Sequence, residues 1–232
     1  MRILALGGSA FLGRATVEEA VQAGHEVTTF NRGLSGPDVP GVEAIRGDRT
    51  RDADLEPLRG RTWDVVVDTS GYVPEVVGRS ARLLAPTTGV YVFVSSINAY
   101  PGFPAEPVTE DSTVHECAPD AGADDGDYGT LKVGCEHAVR DAFGDRALIV
   151  RSGLLIGPYD NTGRSTWWLR RVARGGQVLA PGDPDRRMGL IDVRDQARWF
   201  LDRAGQGLGG TFNTGGPGHN TTMAGSSATA SS

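Results

Sequence analysis

Of the 23 basic residues in this chain, one is a lysine, Lys132, and the rest are arginines. It stands four residues after a tyrosine, in Tyr128-Gly129-Thr130-Leu131-Lys132. On a helix that spacing puts both side chains on one face. A free tyrosine titrates at about 10 and is a poor base at neutral pH. An adjacent ammonium favours the phenolate and brings it nearer working pH. A compact ammonium also holds a ribose hydroxyl better than a broad guanidinium does. Ser95 and Ser96 end an apolar run, where a parallel strand presents groups to a ligand. A hydroxyl there can bond a substrate oxygen while Tyr128 moves its proton. No His/Asp partner accompanies these serines, so a hydrolase triad is poorly supported.

A second constellation opens the chain. Residues 1–13 read MRILALGGSAFLG, a strand, a glycine turn and a helix start. Gly7 makes the tight turn, Gly8 leaves room for close approach, and Gly13 lets the helix pack on the strand. The first helix amides then face an anion such as a pyrophosphate. The next strand ends in Phe30-Asn31-Arg32-Gly33. An acid there would bind a ribose 2′-OH; Asn31 and Arg32 stand in its place. The planar fork of Arg32 suits a 2′-phosphate, which favours NADP(H), with NAD(H) as the alternative. Gly47-Asp48-Arg49 follows the third strand. Asp48 either accepts a hydrogen bond from an adenine amino group or serves as a turn residue.

Elements at the right intervals must position these groups. Apolar runs at 2–6, 26–30, 42–45, 64–68, 90–95 and 147–151 read as strands, most of them covered on both faces. Helical patterns at 12–23, 54–58, 75–84 and 128–143 alternate with them, and Gly24 and Gly144 sit where helices end. The alternation predicts a doubly wound parallel α/β sheet of Rossmann type. Residues 101–127 form a long loop with eight acids and no Lys or Arg. It reads equally as a solvated excursion or an active-site wall. Residues 218–232 are irregular and polar and are expected to be disordered.

Composition narrows the function classes. A net charge of −6 speaks against a general nucleic-acid or membrane-surface binder. Two cysteines without a CxxC argue against a zinc site or disulfide framework, so no metal is expected. No apolar run is long enough for a signal peptide or a membrane span, which makes the cytoplasm the expected compartment.

Together these residues resemble the short-chain dehydrogenase/reductase superfamily, in its extended and atypical branch, the NAD(P)-dependent epimerase/dehydratase family. Gly7-Gly8-Ser9-Ala10-Phe11-Leu12-Gly13 is similar to the family fingerprint, with Ala10 where the middle glycine usually lies. The resemblance implies cofactor contacts from Gly7, Gly8, Ser9, Phe11, Leu12, Gly13, Asn31, Arg32, Asp48, Arg49 and Lys132. Ser95-Ser96-Ile97-Asn98-Ala99-Tyr100 resembles the strand-end motif whose serine lies four before the tyrosine, which selects Ser96. Tyr128 and Lys132 match the YxxxK pair. Arg151-Ser152-Gly153 resembles the segment after the sixth strand, with Ser152 in place of the usual proline. The likeness covers residues 1–217. It implies a Rossmann domain over 1–157, then interleaved substrate-binding segments and last Rossmann elements over 158–217. Family members usually continue further, so the substrate-binding region is expected to be incomplete.

Residues 164–198 hold eight arginines against four aspartates. Such a cluster suits a diphosphate or other anion, with Arg164 and Arg187 as the named candidates; ion pairs on a solvated helix face are the equal alternative. The expected activity is NADP(H)-dependent redox chemistry on a hydroxyl or carbonyl of a small substrate such as a nucleotide-sugar. Reductase, epimerase and dehydratase all fit it, and a homodimer is compatible with it. A non-catalytic nucleotide-binding or RNA-associated protein of the same fold is the alternative.

Overall fold

The computed structural model describes residues 1–179, 182–185, 187–215 and 221–222, with the side chains of 164, 165, 187 and 221 left aside. In chain order the elements are β1 (Arg2–Leu6), α1 (Phe11–Gln22), β2 (Glu26–Asn31), β3 (Glu43–Arg46), α2 (Asp52–Leu55), β4 (Trp63–Asp68), α3 (Pro74–Leu84), β5 (Thr88–Ser96), α4 (Tyr128–Phe143), β6 (Ala147–Ser152), β7 (Leu154–Ile156), α5 (Arg164–Ala173), β8 (Arg187–Met188), β9 (Leu190–Asp192), α6 (Val193–Gly205), β10 (Gly210–Thr214) and β11 (Thr221–Thr222). Seven strands make one sheet in the order β10-β6-β5-β4-β1-β2-β3, and every pairing is parallel.

Strand β1 shows how the layers arise. Successive side chains point to opposite faces. Ile3 and Ala5 join the core under α1 and α6, while Leu4 and Leu6 join the core under α3 and α4. The neighbouring strands repeat the split: Val65 and Val67 against Val66, and Val92 against Tyr91 and Phe93. A sheet apolar on both faces needs helices on both, and the result is the expected Rossmann-type fold.

Three departures have local causes. The helix expected over 54–58 is one α turn, Asp52–Leu55, followed by a 3₁₀ turn, Glu56–Leu58, with Pro57 at its start. Strand β3, read at 42–45, falls one residue later at Glu43–Arg46, where it forms one edge of the sheet and is largely exposed. Helix α6 and strand β10 complete the sheet beyond the elements read from periodicity. The signal for α6 was present: Val193, Ala197, Phe200, Leu201 and Ala204 are buried at helical spacing, diluted by Arg194, Arg198 and Arg203.

Outside the main sheet, β7 pairs with β9, and β11 pairs antiparallel with β8. Thr221 and Thr222 are thus in a strand; the rest of the tail expected to be disordered lies outside the described residues. No helix among the described residues is long and apolar enough to cross a membrane.

Candidate active site and cofactor cleft

The chain order of the strands reverses between β1 and β4, and the carboxyl ends on either side diverge there. A cavity of about 710 Å³ occupies that crevice. The Gly7–Gly13 turn forms one wall, including Ser9, Phe11 and Leu12; Ser96, Tyr128, Lys132 and Ser152 form the other.

The turn fits a dinucleotide. Gly7 and Gly8 have φ of 114° and 93°, a region that side chains disfavour. A Cβ on Gly13 would lie 2.7 Å from Thr69 Oγ1 and 2.9 Å from the Gly8 nitrogen, so α1 packs on the turn only without one. Ala10 precedes α1 and makes no side-chain cap. The first N–H groups of the helix are therefore left for an anionic ligand.

A second cavity of about 290 Å³ lies between the ends of β2 and β3, and Arg32 borders both cavities. Asn31, Asp48 and Arg49 border the second but bond mainly to the protein. Asn31 donates to the Gly7 carbonyl at 2.8 Å and accepts from the Gly33 nitrogen at 2.8 Å. Asp48 accepts from the Thr50 nitrogen at 3.0 Å and from its hydroxyl at 2.8 Å. Those bonds to Thr50 hold its carboxyl below the usual range. Arg49 donates to Asp68 at 2.8 Å and to Ser80 at 2.6 Å. Asn31 and Arg49 are thus both held in place by protein bonds at the border of the cavity.

The catalytic candidates meet on the other wall. Asp127 caps α4 by accepting from the Thr130 nitrogen at 2.9 Å. A Cβ on Gly129 would come within 2.1 Å of the Asn98 carbonyl. Only glycine lets the start of α4 sit this close to the turn after β5, which brings Tyr128 toward Ser96. Ser96 is buried, and its Oγ accepts from the Asn98 nitrogen at 3.2 Å. Ser95 instead donates to Glu136 at 2.5 Å. Tyr128 is half exposed.

Lys132 is buried, with Nζ donating to Gly71 O at 2.7 Å and Val94 O at 2.9 Å. Two of its three donors are thus used, leaving one for a ribose hydroxyl. Nζ lies 5.8 Å from the Tyr128 ring centre and 4.7 Å from that of Tyr72. Burial pulls its pKa down to about 8.

Several supporting residues escaped the sequence. Asp68 is fully buried and bonds Arg49, the Tyr91 hydroxyl and the Ser70 nitrogen. Burial raises its pKa, but Arg49 and these bonds more than offset that and hold it low. Its turn carries the Gly71 carbonyl that holds Lys132. Glu136 accepts from Ser95 and from Arg151 at 3.0 and 2.7 Å. Arg151 donates to Tyr100 at 2.7 Å, and Tyr100 donates to Asn213 at 2.8 Å. Helix periodicity marked 136 as an α4 position, but nothing local pairs it with residue 151.

The acidic loop is tied down: His115 N–H donates to the Ala99 carbonyl, and Glu110 accepts from the Asn213 nitrogen. Phe103 reaches the large cavity, so at that residue the loop is a wall. Of the arginine cluster, Arg194 pairs with Asp192 and Arg198 with Glu19 and Asp195. The Arg164 and Arg187 side chains lie outside the described residues.

Comparison with known proteins agrees with this fold. The 2′-dehydrokanamycin reductase of Streptomyces kanamyceticus is 30% identical over 207 residues, 84% of this chain and 55% of that protein. The chloroplast stem-loop binding protein of 41 kDa b from Arabidopsis thaliana is 26% identical over 220 residues, 88% of this chain and 55% of that one. The chain thus spans about half the length of these curated relatives. Among solved structures, a UDP-glucose 4-epimerase from Thermotoga maritima superposes with a TM-score of 0.77 at 19% identity, covering 99% of this chain and 81% of that one. A UDP-N-acetylglucosamine 4-epimerase from Bacillus cereus gives 0.72 at 21%, covering 99% and 82%. Both show the same fold. The model of the NAD dependent epimerase/dehydratase family matches residues 3–215, from within β1 to just past β10, and the chain belongs to that family.

Proposed function

We propose that this chain carries an NADP(H)-dependent oxidoreductase activity that interconverts a hydroxyl and a carbonyl on a sugar ring. The observation that carries the reading is the convergence of Ser96, Tyr128 and the buried Lys132 on the cavity that also contains the glycine turn. A bound nicotinamide nucleotide would supply the redox equivalent at the substrate carbon. In the oxidising direction Tyr128 Oη takes the hydroxyl proton and Ser96 Oγ donates to the same oxygen. In the reducing direction Tyr128 returns the proton to the carbonyl oxygen. Lys132 places positive charge beneath the phenolate and offers its remaining N–H to the nucleotide ribose. Arg32, which borders both cavities, would pair with a 2′-phosphate. The 30% identity to a reductase whose name specifies a dehydro-aminoglycoside supports a carbonyl on a sugar ring as the reacting group. A nucleotide-sugar is the other candidate, in keeping with the family.

A second reading, nucleotide or RNA binding without turnover, draws on the name of the Arabidopsis relative. Tyr128→Phe separates the two. It keeps the ring and removes only the hydroxyl, so NADPH affinity is expected to survive. Turnover of a carbonyl substrate should fall about 10²–10⁴-fold, the usual worth of general acid–base catalysis. Near-normal turnover in this variant would move the weight to the non-catalytic reading.

A further inference from the structure

Ser152 ends β6 at the position where the family usually has proline, and the structure gives its hydroxyl a setting. It is register partner to Ser96 across the β5–β6 pair, so the two serines sit on adjacent strands about 5 Å apart. Both line the large cavity. Behind Ser152 runs a buried relay. Thr214 Oγ1, at the end of β10, donates to Gln196 Oε1 at 3.1 Å. Gln196 Nε2, from α6, donates to Ser152 Oγ at 2.6 Å. Gln196 is completely buried and Ser152 nearly so, at 5% exposed.

The relay has one polarity. Thr214 donates to Gln196, and Gln196 donates to Ser152. The oxygen of Ser152 already receives a proton from behind, so its own proton is free to point the other way, and the cavity lies on that side. A hydroxyl that accepts one hydrogen bond becomes a stronger donor in the next, because chained bonds polarise one another. A proline here would supply no hydroxyl and leave Gln196 with a buried unsatisfied amide, which costs free energy.

We propose that Ser152 is a cofactor-binding residue that donates its hydroxyl proton to the carboxamide oxygen of the nicotinamide ring, with Gln196 and Thr214 as positioning residues. This rests on the dinucleotide reading above. A dinucleotide whose pyrophosphate meets the Gly7–Gly13 turn and whose adenosine end enters the cavity between β2 and β3 must extend in the other direction along the sheet. That direction leads past β4 to the ends of β5 and β6. The substrate oxygen already has Ser96 and Tyr128. The strand beyond them is left for the far end of the ring, whose carboxamide oxygen is a neutral acceptor matched to a neutral donor.

The test compares two ligands: the dinucleotide, NADPH or NADH, whichever binds tighter, and the matching ADP-ribose, which lacks only the nicotinamide. Dissociation constants are measured by calorimetry for the wild type, Ser152→Ala and Gln196→Leu, with thermal melting to confirm folding. Ser152→Ala should weaken the dinucleotide about three- to tenfold, the worth of one hydrogen bond, and leave ADP-ribose unchanged. Gln196→Leu should show the same split, which a merely structural role would not. If Gln196→Leu does not fold, Ser152→Ala decides alone. Wild-type dinucleotide affinity in Ser152→Ala, or equal losses for both ligands, overturns the assignment. So does a variant that binds both ligands normally but raises substrate KM, since the hydroxyl then serves the substrate. A wild-type protein that binds neither ligand overturns the dinucleotide reading itself, and this assignment with it.

Discussion

Lys132 illustrates how one buried charge is held. Two carbonyls, Gly71 and Val94, fix its ammonium, and the Tyr72 ring covers it, yet burial still draws its pKa from 10.5 to about 8. This has a consequence for stability. Between pH 8 and 10.5 the unfolded lysine keeps its proton and the folded one has released it. The unfolded state then binds more protons, so the stability linked to this group rises with pH. Lys132→Met removes the titration. Urea denaturation should show wild type gaining on the variant by up to roughly 3 kcal/mol as pH rises through that window. A constant difference would mean that Lys132 titrates normally. Arg32 is tested separately: Arg32→Ala should weaken NADPH binding about tenfold or more and leave NADH nearly unchanged, since a charge-assisted bond to a phosphate is worth about 1.5–3 kcal/mol. Equal affinities of the wild type for both cofactors would remove the basis for the preference.

At the scale of elements, the site is held by helix α4 and the ends of β5 and β6. Glu136 ties all three together through Ser95 on β5 and Arg151 on β6. Both members of the ion pair are buried, at 0% and 4% exposed. Removing one charge leaves the other uncompensated in a low-dielectric setting, so Glu136→Gln should cost about 3–5 kcal/mol of folding stability. A loss below about 1 kcal/mol, measured by chemical denaturation, would show the pair to be screened as surface pairs are. Of this arrangement the sequence displayed α4, the two strands and the Tyr128–Lys132 face, because each follows from a period within a short window. The long-range pairs were not legible: Glu136 meets Ser95 across 41 residues and Tyr100 meets Asn213 across 113. No local period specifies such pairs; they form because β5, β6 and β10 become neighbours in the sheet.

Across the whole molecule, the sheet is unevenly protected. Strands β1, β4, β5 and β6 are flanked by strands and covered on both faces, whereas β3 is an edge with mostly exposed residues. Local opening is easiest where few apolar contacts are lost. Amide exchange should therefore be slowest in 3–6, 65–68, 90–94 and 148–150, and at least about tenfold faster in 43–46. Equal protection of β3 and β1 would contradict this gradient.

What the sequence determined by itself is local and periodic. The glycine turn follows from residues 7–13, the shared helix face of Tyr128 and Lys132 from their i, i+4 spacing, and the parallel sheet from apolar runs without polar faces. Each is specified within a few turns of chain, where geometry is set by φ, ψ and side-chain period. The tertiary structure alone decided which distant polar groups pair with one another around the cavity. Ser95, Ser96 and Ser152 all line the wall of the site; Ser95 is bound to Glu136, Ser152 to Gln196, and Arg49 to Asp68. Those outcomes depend on strand order and on the burial of polar groups that must find partners, and both are properties of the assembled sheet.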